Sequence, residues 1–460
     1  MKPVFLVTWR LRALALVALF AISPVAAPAD ALVHGDLERI VQQSYPDDGP
    51  GAAVIVVRDG RILYRGAQGR ANLELSVPLH PEHVFRIGSI TKQFTAAAIL
   101  LMAERGQLAL TDPITRYLPD YHDQGRVVTI GHLLSHTSGI ANYTELPEWQ
   151  STLRSDVSVE HLIHLFQDKP FDFPPGERWK YDNSGYILLG AIIEKISGQS
   201  YAKFLRANLF DPLGMSHTGY EDTARITPGR AAGYAPDGAQ WRNADFLSMT
   251  HPYAAGALTS TVDDLARWNA AIEQGELLKP ASWQRAATSF VLADGTATRY
   301  GAGWILGRVG PVATLEHGGG INGFNAYVLR APKEHLYVAV LANASPPRTP
   351  PQEVAVRLAA RALQVSLELP AVPLAARRLD EFTGRYLLGG PRTLVVSRER
   401  DRLYAQEGNA SRVELVPVGE DLFEEHGQHA HYRFLRERGR VATLDIEPRI
   451  LMGERARRAN

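Results

Sequence analysis

The spacing of apolar residues changes several times along the chain, and each change marks an element. An uncharged apolar run, Ala13-Leu-Ala-Leu-Val-Ala-Leu-Phe-Ala-Ile22, comes first. A helix is expected over about 35–44. Ala52-Ala-Val-Ile-Val-Val57, Asp59-Gly60 and Arg61-Ile-Leu-Tyr64 then predict a hairpin closed by a tight turn. From Ser89 to about 290 the pattern is mainly helical, broken by Pro- and Gly-rich loops. The stretch from Phe94 to Ala103 is apolar on nearly every side, which predicts a helix inside its domain rather than on the surface. Gly106 supplies its stop. Thr261-Val-Asp-Asp264 predicts another helix start in capping-box fashion, with Asp in the Glu position. Strand character returns at about 300–306, 312–316, 325–329 and 336–341, followed by a helix over about 352–365.

These elements predict an α/β (α+β) fold. An antiparallel sheet is built from both ends of the domain and flanked by N- and C-terminal helices, with a helical lobe inserted between. Leu369-Pro-Ala-Val-Pro-Leu-Ala-Ala376 reads as a linker. Beyond it, short alternating runs such as Arg392-Thr-Leu-Val-Val-Ser397, Arg402-Leu-Tyr-Ala405 and Arg412-Val-Glu-Leu-Val-Pro417 predict a small β domain. The expected division is 1–29 signal peptide, 30–368 main domain, 369–378 linker and 379–460 C-terminal domain. No internal repeat is visible.

Composition narrows the function. The 460 residues carry a formal charge of zero with both signs interspersed, which gives no nucleic-acid footprint. The absence of cysteine excludes disulfides and thiolate metal sites and suits an oxidising compartment. Lys2, Arg10 and Arg12 precede the first apolar run, and Ala27-Pro-Ala29 follows it as a cleavage site. That order predicts a secretory signal peptide and an exported protein, periplasmic or secreted, with no stable membrane span after cleavage.

The chemistry centres on Ser89-Ile-Thr-Lys92 at the head of the apolar helix. Residues three apart on a helix share a face, so an amine comes within reach of a hydroxyl. The chain has only eight lysines against a large excess of arginines, and a desolvated lysine can lose its proton where arginine cannot. Burial would lower the Lys92 pKa and make a neutral amine available to activate Ser89. Ser200-Tyr-Ala-Lys203 matches the same spacing but reads as an ordinary helix cap.

Two further motifs lie downstream. Tyr181-Asp-Asn183 precedes the apolar run Tyr186-Ile-Leu-Leu-Gly-Ala-Ile-Ile193, where a tyrosine can relay a proton and an asparagine can orient lysine and substrate. His317-Gly-Gly-Gly320 is expected at the end of a strand, its small residues letting a substrate lie alongside. There the Gly320 N–H could join that of Ser89 as an oxyanion hole.

Ser89-x-x-Lys92, Tyr181-x-Asn183 and His317-x-Gly319, in that order, resemble the penicillin-recognising serine hydrolases. The nearest likeness is to the branch of class C β-lactamases, D-Ala-D-Ala carboxypeptidases, D-aminopeptidases and related esterases. Phe85-Arg-Ile-Gly-Ser-Ile-Thr-Lys-Gln-Phe94, Leu133-Leu-Ser-His-Thr-Ser-Gly-Ile140, Pro212-Leu-Gly-Met215 and Ala255-Gly-Ala-Leu-Thr-Ser-Thr-Val-Asp-Asp-Leu265 resemble it too. The likeness covers about 35–365, and the C-terminal part resembles the lipocalin-like barrel appended to some members. It implies Ser89 as nucleophile, Lys92 as proton acceptor shared with Tyr181, and Asn183, His317 and Gly319 as substrate-binding residues. The N–H groups of Ser89 and Gly320 would hold the oxyanion. No cofactor or metal is implied. The implied partner is a small peptide, ester or β-lactam, and a homo-oligomer is one expected assembly.

Histidine at 317, where many relatives have lysine, removes a fixed charge that could grip a carboxylate. The expected substrates are therefore D-amino-acid peptides or small esters, ahead of β-lactams; a β-lactamase or a non-catalytic cell-wall-peptide sensor is the alternative. Other readings fail on context. No Gly-x-Ser-x-Gly accompanies His317-Gly-Gly-Gly320, and Gly318-x-Gly320-x-x-Gly323 lacks the helix of a dinucleotide fingerprint. His132 and His136 read as structural, and His426, His429 and His431 as surface residues. Loops near Tyr143, Tyr220 and Tyr253 are expected around the cleft.

Overall fold

The computed structural model describes residues 29–388, 392–427, 429–450 and 454–459. The signal-peptide expectation therefore lies, but for Ala29, outside the described residues. Helix α1 spans Ala29–Ser44 and begins earlier than its periodicity suggested. The hairpin follows as β1 (Ala52–Arg58) and β2 (Arg61–Gln68). After the helical lobe come β3 (Ile305–Val309), β4 (Val312–Ile321), β5 (Phe324–Ala331) and β6 (Leu336–Ala342). They form one six-stranded antiparallel sheet in the order β3-β4-β5-β6-β1-β2, so the two ends of the domain meet where β6 pairs with β1.

Both faces of this sheet are covered. Ala53, Ile55, Tyr337, Ala339 and Leu341 face the helical lobe. Their neighbours Ala52, Val54, Val56, Leu336, Val338 and Val340 pack with Leu37 and Val41 of α1 and with Val354 and Leu358 of the late helix Pro351–Leu363. Burial on both sides is why β1 and β6 read as unbroken apolar runs rather than as an alternation. Within the lobe, α2 (Thr91–Glu104) is buried from Thr91 to Met102, as its all-round apolar surface predicted. Gly106, at φ +70°, ends it.

Two local expectations need correction. β4 does not stop before His317; the whole His317-Gly-Gly-Gly320 segment lies within the strand, paired with Asn325–Val328 of β5. Glycine weakens a strand, but the ladder uses only backbone groups, and a packed neighbour holds it. At Thr261 the cap forms, with its hydroxyl accepting from the Asp264 N–H at 3.2 Å. The reciprocal half of a capping box does not. The shorter Asp264 carboxylate instead accepts from His217 N–H, Thr218 Oγ1 and Arg267.

After residues 364–375, which hold no strand and no helix, a short helix at Ala376–Asp380 leads into a closed eight-stranded antiparallel barrel. Its strands are β7 (Gly384–Leu387), β8 (Thr393–Glu399), β9 (Arg402–Glu407), β10 (Val413–Pro417), β11 (Leu422–Glu425), β12 (His431–Glu437), β13 (Arg440–Glu447) and β14 (Glu454–Arg458). Pairing of β14 with β7 closes it, which leaves no open sheet edge. Phe382, Phe423 and Phe434 fill the interior with edge-on or tilted ring contacts at 4.8–5.4 Å. Among the described residues no helix is long and apolar enough to cross a membrane.

Candidate active site

A small sheet carries the chain into the site. Phe85–Arg86 pairs with Leu258–Ser260, which also pairs with Gly219–Tyr220. Arg86 is fixed there by the fully buried Glu221 carboxylate at 2.6 Å. Gly88, at φ +51°, then turns the chain; a side chain at this position would be strained and its Cβ would lie 2.9 Å from the Gly320 nitrogen. The tight turn Gly88–Ile90 presents Ser89 half-buried and runs straight into α2.

Lys92, in the first turn of α2, has no exposed surface. Its Nζ lies 3.2 Å from Ser89 Oγ, 2.8 Å from Asn183 Oδ1 and 2.9 Å from the Ala255 carbonyl. Loss of surrounding water holds its pKa down to about 7, although the nearby Asp182 charge works in the opposite direction. A neutral amine in this place donates to Asn183 and Ala255 and has its lone pair left for the Ser89 hydroxyl.

Asn183 begins helix α3 (Asn183–Ser197), capped by Asp182, whose carboxylate accepts from Ser184 N–H at 2.8 Å and Gly185 N–H at 3.0 Å. The Asn183 amide donates to Thr144 Oγ1 at 3.2 Å and its backbone N–H to Asn142 Oδ1 at 3.2 Å. With its NH2 engaged by Thr144, its oxygen is the atom that meets Lys92. Burial pushes Asp182 up to about 7, against its hydrogen bonds and the Lys92 charge.

Tyr181 completes the contact around Ser89. Its hydroxyl lies near the serine, whose proximity favours the phenolate, and its ring centroid lies 4.8 Å from Lys92 Nζ. Burial raises the phenol well above its usual range, so it is a neutral hydroxyl near pH 7. His317 sits on the opposing strand with Tyr181 at 6.2 Å between ring centroids. Its Nδ1 donates to the Gly318 carbonyl at 2.7 Å, so Nε2 accepts from Tyr300 OH at 2.9 Å. Burial first, then the Lys92 charge, takes its pKa down to about 3. His317 is a neutral imidazole, and the cleft wall holds no fixed positive charge from it.

The two glycines differ. A Cβ on Gly319 would collide with the Ile87 carbonyl at 1.9 Å, so this position is glycine because the Ser89 turn crosses it. Gly320 is exposed, with nothing nearer to such a Cβ than Asn325 Oδ1 at 3.8 Å. The strand thus lies against the nucleophile turn through Gly319 and is open at Gly320.

Several residues at the site carried no role in the sequence. His136, at φ +59°, packs its ring 4.3 Å from Tyr181 and 4.6 Å from Tyr300 and accepts from the Asp182 N–H at 3.1 Å. Burial keeps it far below the usual histidine pKa. The stretches holding His136 and Ala255 stood out as motifs; Tyr300 had no such signal. His132, four residues before His136, closes a capping box with Thr129. In the loops expected around the cleft, Tyr143 and Tyr253 are themselves buried, and Tyr220 bonds the Met249 carbonyl. Tyr143 is buried with its hydroxyl on the His251 carbonyl, while its neighbours Asn142 and Thr144 are the ones that hold Asn183. His429 bonds Glu424, and no cluster of three or more His, Asp or Glu suited to a metal occurs among the described residues.

A family model described as Beta-lactamase matches residues 37–363. Penicillin-binding protein 4* of Bacillus subtilis (strain 168) is 29% identical over 437 residues, covering 88% of this chain and 90% of that protein. The fold is similar to that of an octameric penicillin-binding protein homologue from Pyrococcus abyssi, at 26% identity and a TM-score of 0.63, covering 93% of this chain and all of the other. A D-stereospecific amidohydrolase from Streptomyces sp. aligns at 25% identity and a TM-score of 0.61, covering 74% of this chain and all of that one.

Proposed function

The chain belongs to the beta-lactamase family, and from that membership we propose that Ser89 is the nucleophile of an exported hydrolase of D-amino-acid peptides, amides or small esters. The observation that carries the proposal is the Lys92 amine, buried without exposed surface and 3.2 Å from Ser89 Oγ. Lys92 takes the serine proton as Oγ attacks the acyl carbon. The N–H groups of Ser89 and Gly320 hold the oxyanion. Collapse of the tetrahedral species breaks the bond to the leaving group, which receives a proton from Tyr181 or Lys92. Water then attacks the acyl-enzyme, giving its proton to the same base and releasing the acid and Ser89. Asn183 holds both the lysine and the substrate amide.

Two features support the substrate class. His317 is neutral, so the wall suits an uncharged amide or ester better than a substrate gripped by its carboxylate. The Streptomyces relative is a D-stereospecific amidohydrolase. Export rests on Lys2, Arg10 and Arg12 ahead of the apolar run and on Ala27-Pro-Ala29 after it. An oligomer is part of the reading, since the Pyrococcus homologue is octameric. Intact-mass spectrometry after a fluorophosphonate, and separately a penicillin, tests the proposal. A phosphonyl adduct on Ser89, absent from Ser89→Ala, with faster turnover of D- than L-amino-acid anilides, is expected. Rapid penicillin hydrolysis would make it a β-lactamase, and no adduct on folded protein would overturn the enzyme reading.

A further inference from the structure

Just after β13, residues Pro448, Arg449 and Ile450 leave the barrel and meet the main sheet. Arg449, with only 7% of its side chain exposed, forms a bidentate ion pair with the fully buried Glu316, at 2.7 Å on each oxygen. It also donates to the Arg308 carbonyl at 3.0 Å and to Tyr327 OH at 3.1 Å. Thr314 and Tyr327 donate to the same carboxylate. Ile450 bridges to Gly307 on the edge strand β3, and a Cβ on Gly307 would meet Ile450 at 2.9 Å. From the other side, Arg299 donates to the Pro448 and Arg449 carbonyls at 3.0 and 3.2 Å.

The two anchors have a common feature. Glu316 directly precedes His317, and Arg299 directly precedes Tyr300. His317 and Tyr300 make the 2.9 Å hydrogen bond of the cleft wall, and alternation along β4 puts Glu316 on the sheet face opposite His317. Arg299 is held at φ +55°, a conformation that non-glycine residues adopt only when their surroundings fix it. We propose that Arg449 is a positioning residue: its guanidinium clamps Glu316 while its backbone carbonyl and that of Pro448 receive Arg299, and this sets the place of the His317–Tyr300 wall, so the barrel tunes substrate binding without touching substrate. The inference rests on the reading of His317 as a substrate-facing residue.

A surface ion pair would be worth little, but here both charges are desolvated and every oxygen of Glu316 is bonded. Removing Arg449 alone would leave a buried carboxylate unpaired, which threatens folding as well as the wall. The test therefore uses the full chain with Arg449→Lys, which keeps the charge but loses the planar fork, and with the double variant Glu316→Gln/Arg449→Gln, which removes both charges. Two rates are compared in each: Ser89 labelling by a small fluorophosphonate, and kcat and KM on a D-amino-acid anilide. The expected result is labelling within about twofold of the parent, with KM raised about tenfold or more in the double variant and less in Arg449→Lys, as sub-ångström displacement of a binding group predicts. Unchanged KM with a lowered Tm would overturn the proposal and leave Arg449 as a domain fastener. Equal loss of labelling and turnover would overturn it as well, because the clamp would then act on the nucleophile. Failure of the parent protein itself to label at Ser89 would instead refute the enzyme reading on which the inference stands.

Discussion

Ser89-x-x-Lys92 and Ser200-x-x-Lys203 share their spacing and both open helices, yet their surroundings have little in common. Lys92 is sealed from solvent and its amine meets a hydroxyl, a side-chain amide oxygen and a carbonyl. Lys203 is exposed, and the contact in its pair runs from its backbone N–H to Ser200 Oγ at 3.4 Å, the ordinary cap of a five-residue helix. Spacing brings a serine and a lysine together in both cases. Burial is what separates them, because a desolvated amine can shed its proton near pH 7, as the proposed nucleophile–base pair requires.

Replacing the serines separates the two pairs by the largest margin. Ser89→Ala removes the attacking oxygen, and turnover is expected to fall by at least about 10⁴-fold, as loss of a nucleophile does in other acyl-enzyme systems. Ser200→Ala is expected to leave kcat/KM within twofold. Progress curves on a D-amino-acid anilide measure both, and a Ser89→Ala protein retaining a tenth of the activity would erase the distinction. The lysines follow. Lys92→Met keeps the length of the side chain without its nitrogen and should cost about 10²–10⁴-fold, the range for a lost general base. Lys203→Met should cost nothing measurable. Comparable losses at both positions would show that neither lysine handles the proton.

How much of this was visible in the sequence depended on whether an element's signal is local. Strand β1, α2 and β6 print their burial directly as apolar runs, and the scarcity of lysine made position 92 stand out. Strand β4 was cut short because three glycines carry no strand signal, although their backbones pair throughout. Tyr300 carries no signal at all, and His136 lies in a motif without a role of its own, for a different reason. Their roles come from contacts made only after folding, 17 and 46 residues away in sequence at His317 and Asp182. The loops expected around the cleft are marked in the sequence by their tyrosines, but Tyr143 and Tyr253 are themselves buried in the core, and beside Tyr143 it is Asn142 and Thr144 that hold Asn183.

A pH profile sharpens the contrast without removing any residue. Lys92 must be neutral to accept a proton, and burial places its pKa at about 7. The logarithm of kcat/KM should therefore rise with pH through about 7 and level off above it. Asp182 raises that pKa, so Asp182→Asn, which keeps a cap on α3, should shift the rising limb to lower pH. A limb that stays in place, or moves up, would mean that another group governs the rate.

The smallest expected effect belongs to the second pair and concerns stability alone. Ser200 Oγ accepts one of the free N–H groups at the start of its helix, and Ser200→Ala leaves that donor to water. With both residues exposed and the bond long at 3.4 Å, the cost should lie at the low end of cap deletions, about 0.5–1 kcal/mol. Ser200→Gly should lose only a few tenths, about 0.3 kcal/mol, because water reaches the N–H more easily past a glycine. Urea midpoints at constant m-value read both changes. A Ser200→Ala protein with an unchanged midpoint but slowed turnover would give the second pair a catalytic part, and burial would no longer be what separates it from Ser89 and Lys92.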